Sequence, residues 1–146
     1  MLVTNHVLSG ALIGHAAPNA PAAFTVGVLS HLLLDAVPHW GETRPLSELM
    51  HVAVPDGLVG AATMAVATLV TGPRHRMRVL AGMAGAAFLD LDKPSNVFFG
   101  FSPFPVAVDR FHQRIQRESP HRMPQELLVG VAAALVVAAV TRRRTA

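Results

Sequence analysis

The chain has 146 residues, a formal net charge of +3 and no cysteine, which fits a single domain and excludes both a disulfide framework and a thiolate-bound metal. Apolar residues make up 51% and charged residues only 14%, well below the roughly 25% charged of soluble domains, and a mean hydropathy of +0.42 points to lipid around much of the surface. All the positive charge except Lys93 is arginine, gathered apart from Arg44 in segments 74–78, 110–122 and 142–144; with one tryptophan, no tyrosine and no basic stripe on a soluble helix, the composition argues against a nucleic-acid partner.

In chain order, residues 1–5 carry no basic side chain, so the first apolar stretch is not expected to be a cleaved secretory signal. A first helix is expected over 4–17, with Gly10 and Gly14 at the spacing that lets helices approach closely. Residues 18–21 (Pro-Asn-Ala-Pro) read as a tight turn, and a second helix covers 22–37, stopped by Pro38. A polar loop, 39–45, leads to Ser47 as a helix N-cap with Glu48 in the first turn. The third helix runs on to residue 71, with Pro55 either kinking it or marking its true start, and Gly72-Pro73 ends it. A fourth helix, rich in Gly and Ala, is expected over 77–91 and a fifth over 125–141, ended by the arginine triplet.

Between the last two lies a long connection, 92–124, in which Phe104, Val108, Phe111 and Ile115 form an apolar stripe with Arg110, Arg114 and Arg117 off it. That pattern is a basic amphipathic helix, suited either to a membrane interface or to packing one face on a bundle. The expected fold is therefore all-α: one domain, 1–146, an integral membrane bundle of about five short helices plus an interfacial amphipathic helix. Several helices fall short of the roughly 20 residues of a free-standing span, which a pocket lined by polar helix ends would explain; a soluble helical bundle is the alternative.

Function is written in the polar residues left among the apolar ones. His31 and Asp35 lie four apart in an otherwise apolar segment, so on a helix they share a face. An ionisable pair among leucines needs compensation, and a divalent metal provides it. If the helices alternate in direction, His6, His31 with Asp35, Asp56, Asp90 with Asp92, and His112 all come to one side. His15, His75 and carboxylate-free arginine clusters fall on the other. Such a set supplies nitrogen and oxygen ligands for one or two hydrolytic metals. His6, His31, Asp35, Asp56 and Asp90 are the expected ligands, zinc suits them best, and Asp92 and His112 are expected to orient ligands or transfer protons. The plainer alternatives are capping of the third helix by Asp56, an exposed Asp92–Lys93 ion pair, and a hydrogen-bonded His31–Asp35 pair without metal. His39 reads as a loop residue beside the interfacial Trp40, and His51, His75 and His121 as surface residues.

At these positions the chain resembles a family of small bacterial inner-membrane proteins described as metal-dependent hydrolases. The likeness rests on Asn5-His6, on Gly27-x-x-Ser30-His31-x-x-x-Asp35-x-x-Pro38-His39-Trp40, on Asp90-Leu91-Asp92 after a Gly/Ala-rich helix, and on Phe111-His112-x-x-x-Gln116. The HxxxD element is also loosely similar to zinc-dependent phospholipases C, where His and Asp of one helix bind adjacent metals. The chain departs from the family in having Phe88-Leu89 before Asp90, where Pro-Asp-x-Asp is common, and in lacking a His-rich Thr-His-Ser element.

The expected function is metal-assisted hydrolysis of a phosphoester or lipid-like substrate at the membrane surface, with membrane lipid as partner. Two other classes use similar residues: a non-catalytic membrane protein that binds or conducts a cation or proton, and a haem-binding bundle, which would leave the aspartates without a role. A scaffold with no site is the remaining alternative. The resemblance implies the bacterial cytoplasmic membrane, and the tight arginine clusters at 74–78 and 142–144 favour that end as cytoplasmic, turning the pocket outward. The sequence carries no signal for oligomeric state.

Overall fold

The computed structural model describes residues 1–42, 44 and 46–145. Seven α-helices make up nearly all of it: α1 (Val3–Ala16), α2 (Ala20–Ala36), α3 (Met50–Val70), α4 (Pro73–Ala87), α5 (Asp92–Phe99), α6 (Val106–Ile115) and α7 (Met123–Thr145). Two short strands, β1 (His39–Trp40) and β2 (Glu118–Ser119), pair in parallel with His39 opposite Glu118 and Trp40 opposite Ser119. The all-α expectation is met. Two helical stretches are long and apolar enough to cross a membrane, Met50–Val70 with mean hydropathy 1.6 and Pro120–Arg143 with 1.9. Both show apolar surface outward, as at Leu69 and Leu128, each 72% exposed.

α4 is the central helix, packed along α1 and α2, while α3 and α7 lie against α1. Glycine sets this arrangement. A Cβ on Gly10 or on Gly82 would come within 3.0 Å of the other helix's backbone, closer than real Cβ atoms approach, and one on Gly85 would do the same to Phe24 of α2. The expected close approach at Gly10 and Gly14 is thus made against α4. Around this crossing Val7, Leu8, Ala11, Ala67, Val79, Met83 and Val137 form the buried core.

The boundaries depart from expectation where side chains of other elements take part. Asn19 accepts from Ala22 N–H at 2.9 Å, so α2 begins at Ala20. α3 starts at Met50 after a 3-10 turn over Leu46–Glu48, Ser47 is not its cap, and Pro55 lies inside it. Pro73 opens α4 rather than merely ending α3, as its fixed φ and missing N–H allow at the first helical position. The arginines expected to flank that helix lie in its first turns, where Arg78 donates to Ala17 O at 2.7 Å and so caps the end of α1. The long connection is not bare: a 3-10 turn, Leu89–Leu91, runs into α5, which ends at Gly100 with φ of 76°. α7 continues through the arginine triplet to Thr145. Of the loop expected over 39–45, Thr43 and Pro45 lie outside the described residues.

α6 turns its His112 face inward, with Val108 and Ile115 half-buried, while Phe111 is 53% exposed although the stripe pattern put it on the same face. Arg117 N–H donates to Asp35 O and His39 N–H to Arg117 O, both at 3.1 Å. These backbone bonds, with the β1–β2 pair, hold the end of α6 against the end of α2.

Candidate metal centre

Asp35 is the hub of the polar cluster. His31, one turn earlier on α2, places Nε2 3.1 Å from Asp35 Oδ2, and both residues are fully buried. α6 brings His112 Nε2 to 3.0 Å from the same oxygen and Gln116 Nε2 to 2.8 Å. α1 brings His6 Nε2 to 3.2 Å from the other oxygen, Oδ1, which also lies 3.5 Å from the Met1 amine. The glycine-mediated approach of α1 and α2 to α4, one turn away at Gly10 and Gly27, lets the His6 and His31 rings stack at 4.0 Å. Asp90, in the turn after α4, completes the group. His6, His31 and Asp90 each offer a ligand atom within 4.8 Å of the others, and so do His31, Asp35 and His112.

The second nitrogens of the two central rings are committed elsewhere. His31 Nδ1–H donates to Ala86 O at 2.7 Å, and His112 Nδ1 lies 3.6 Å from Asp92 Oδ2. Carbonyl and carboxylate partners of this kind fix the tautomer of metal-binding imidazoles. Burial disfavours charge on His112, but its hydrogen bonds to Asp35 and Asp92 outweigh burial and push its pKa up to about 9. Desolvation likewise opposes charge on Asp90 and Lys93. Their contact at 2.6 Å reverses this, holding Asp90 below the usual carboxylate range and Lys93 above the usual ammonium range.

Three features of the cluster fit a cation. First, His31 Nε2 and His112 Nε2 are 2.9 Å apart and both near Asp35 Oδ2. These separations come within a few tenths of an ångström of the edge, about 3.3 Å, of a tetrahedron with ligands at about 2.0–2.1 Å. Second, His6 Nδ1 is buried without a partner among the described residues, and the contact of His6 Nε2 with Asp35 Oδ1 at 3.2 Å lacks hydrogen-bond geometry. Leaving such groups unsatisfied costs about 1–3 kcal/mol each. Third, the Gln116 amide reaches the same point, its nitrogen 2.8 Å from Asp35 Oδ2 and 3.0 Å from His112 Nε2. Reversed, the isosteric amide would turn its oxygen there instead. With His112 deprotonated, four donor atoms would then surround one point, an arrangement a divalent ion satisfies. The donors, two imidazoles with oxygens and no sulfur, suit zinc.

Of the residues singled out from the sequence, His6, His31, Asp35, Asp90 and His112 come together, with Asp92 behind His112. The sequence reading set His112 apart from the ligands as a proton-transfer group, whereas its Nε2 sits among them. Asp56 is not in this group. Its carboxylate accepts from Val3 N–H at 2.6 Å, from Thr4 N–H at 3.2 Å and from the Thr4 hydroxyl at 2.6 Å, so from α3 it caps the start of α1. His51 and His121 are exposed, and His15 and His75 lie together elsewhere, 6.1 Å between ring centres. Sequence reasoning gave no role to Gln116, although it follows His112 at the same four-residue spacing as Asp35 follows His31. It also passed over Glu126, 2% exposed at the start of α7, whose oxygens accept from Leu2 N–H, Asn5 Nδ2 and Trp40 N–H. A lone carboxylate entering an apolar helix was the available signal.

No protein-family model, no curated protein and no solved structure matches this chain.

Proposed function

We propose that this protein is an integral membrane hydrolase whose buried cluster holds one or two divalent ions, zinc by its donor set, and which acts on a phosphoester or lipid-like substrate at the membrane surface. The observation that carries this reading is the convergence of His31 Nε2, His112 Nε2 and Asp35 Oδ2 within about 3 Å of one another inside an apolar bundle. Supporting it are the partnerless Nδ1 of buried His6, the two helices long enough to span a bilayer, and the resemblance to inner-membrane hydrolases at the same residues. The bacterial cytoplasmic membrane, with the cluster facing outward, belongs to the same proposal.

In this reading His31, His112, Asp35 and Gln116 would hold one ion. Asp35, His6 and Asp90 would hold a second. A metal held there would supply Lewis-acid chemistry for hydrolysis. Asp92 keeps His112 oriented, and the apolar walls exclude bulk water.

One observation favours a second reading. With Gln116 the inner position has four protein donors, as closed structural metal sites do, and a non-catalytic metal-binding membrane protein would look the same there. Elemental analysis of the detergent-purified protein, with hydrolysis of an aryl phosphoester before and after chelation, separates the outcomes. Stoichiometric zinc with chelator-sensitive hydrolysis is expected. Stoichiometric zinc without turnover favours the closed site, and protein free of metal sinks both.

A further inference from the structure

A cavity of about 620 Å3 lies between α1, α3 and α5 and ends at Asp90 and Lys93. Its size falls within the range of about 300–1,000 Å3 typical of small-molecule sites. Asp90 is at once a wall of this cavity and a member of the cluster with His6 and His31, so the cavity borders the buried centre. Its interior is apolar, with Val7, Met50, Met64 and Val97 among its walls. Among its wall residues Val54, Leu58 and Phe98 are 44%, 67% and 68% exposed, beside the charged Glu42, Arg44 and Glu118.

At the edge next to the cluster the wall is charged, and the Lys93 side chain there is 40% exposed. Lys93 is the only lysine in the chain, and it is paired there with Asp90 at 2.6 Å. Of the nearby acids, Asp56 is used by the backbone of α1 and Glu42 is paired with Arg44. Were Asp90 to turn to an ion beside His6 and His31, the Lys93 ammonium would lose its nearest carboxylate at the edge of the apolar walls. An anionic head group with a hydrocarbon tail complements both ends: the head is drawn by Lys93 and the metal, the tail by the walls.

We propose that this cavity seats a long-chain phosphate monoester, its alkyl chain between α3 and α5 and its phosphate at Lys93 on the edge of the metal centre. The identity of the head group's partner metal rests on the hydrolase reading above; seating of the chain does not.

Trp40, the only tryptophan, lines the cavity and supplies the probe. The zinc-loaded full chain in maltoside detergent is titrated with dodecyl phosphate brominated on its chain, and Trp40 fluorescence is followed. Saturable quenching is expected, displaced by plain dodecyl phosphate at least ~10-fold better than by dodecanol or by inorganic phosphate, a difference of about 1.4 kcal/mol. Lys93→Met should abolish the preference for the phosphate over the alcohol while leaving quenching by brominated dodecanol in place. Gly57→Phe projects into the cavity from a position where a Cβ meets nothing within 4 Å, and should block quenching with zinc content unchanged. Equal displacement by dodecanol would mean a site for any apolar chain, displacement by inorganic phosphate alone a site for the free anion, and absent quenching no chain site; each overturns the proposal. Binding is read without turnover, so saturable quenching with no hydrolysis of dodecyl phosphate would sink the hydrolase reading alone. Hydrolysis of a short soluble phosphoester without chain-dependent quenching would sink this inference alone.

Discussion

His31 Nε2 and His112 Nε2 face each other at 2.9 Å, although His31 has already given its Nδ1 proton to Ala86 O and His112 turns Nδ1 toward Asp92. Two ring nitrogens directed at one another need a proton or a metal between them, and Asp35 Oδ2, about 3 Å from each, makes the place suitable for either. The chemistry of the protein turns on which cation is held there.

If it is a metal, Asp35→Asn should lose most of it, because the amide keeps the size of the carboxylate but not the charge. His31→Ala should lose it as well, with the bundle remaining helical by circular dichroism. His15→Ala, at a residue in contact with Thr141 and away from the cluster, should keep wild-type zinc content. A hydrogen-bonded pair without metal predicts the same zinc in all of them, and that result would falsify the metal assignment.

The pH dependence follows from His112. Its pKa of about 9 in the metal-free cluster means that the ring holds a proton at neutral pH, and that proton must leave before Nε2 can bind metal. Below the pKa, zinc binding therefore releases one proton, and affinity should rise about 10-fold per pH unit from 7 to 9 and level off above. Competition with a chromophoric chelator at several pH values reads this slope. A flat profile between 7 and 9 would remove His112 from the ligands.

Asp92 acts through His112. Asp92→Asn keeps the shape but weakens the carboxylate–imidazole contact that orients the ring, and outer partners of metal ligands typically contribute about 10–100-fold in affinity. Zinc affinity should fall within that range while helicity is unchanged. Because the carboxylate also holds the His112 proton, the pH at which affinity levels off should move down. A residue of purely structural importance would not shift that pH.

Much of this site was legible because side chains on apolar helices have few reasons to ionise. The four-residue spacing of His31 and Asp35, together with alternating helix directions, was enough to bring His6, Asp90 and His112 to the same end. Asp56 shares that end but serves the backbone: its oxygens meet the free N–H groups at the start of α1, a demand that arises only once α3 is packed there. Gln116 and Glu126 carry only faint local signals, a four-residue spacing from His112 and a lone carboxylate before an apolar helix, because their partners lie more than eighty residues away. The helix of 92–99 was hidden because its buried residue is Asp92 rather than an apolar stripe. Phe111 misled in the opposite sense, since the inward face of α6 is chosen by His112 and Gln116 meeting Asp35 and not by hydrophobicity.

The last prediction concerns the helix crossing beneath the cluster. Gly82 of α4 touches Gly10 of α1, and a Cβ placed on it would come within 3.0 Å of the Gly10 backbone, which has no side-chain freedom to yield. Gly82→Val therefore forces the helices apart, and overpacking of this kind costs about 1–3 kcal/mol. The consequence should reach His6, one turn from Gly10, whose ring stacks on His31 at 4.0 Å only because α1 and α2 both lie close on α4. Thermal unfolding in detergent should show the loss of stability. Zinc analysis should show the His6–Asp90 position weakened more than the position at His31 and His112, which α2 and α6 build without α1. At Gly57, where a Cβ meets no atom within 4 Å, Gly57→Ala should leave both measurements unchanged. Equal effects of Gly82→Val and Gly57→Ala would mean that the glycine crossing does not position the cluster.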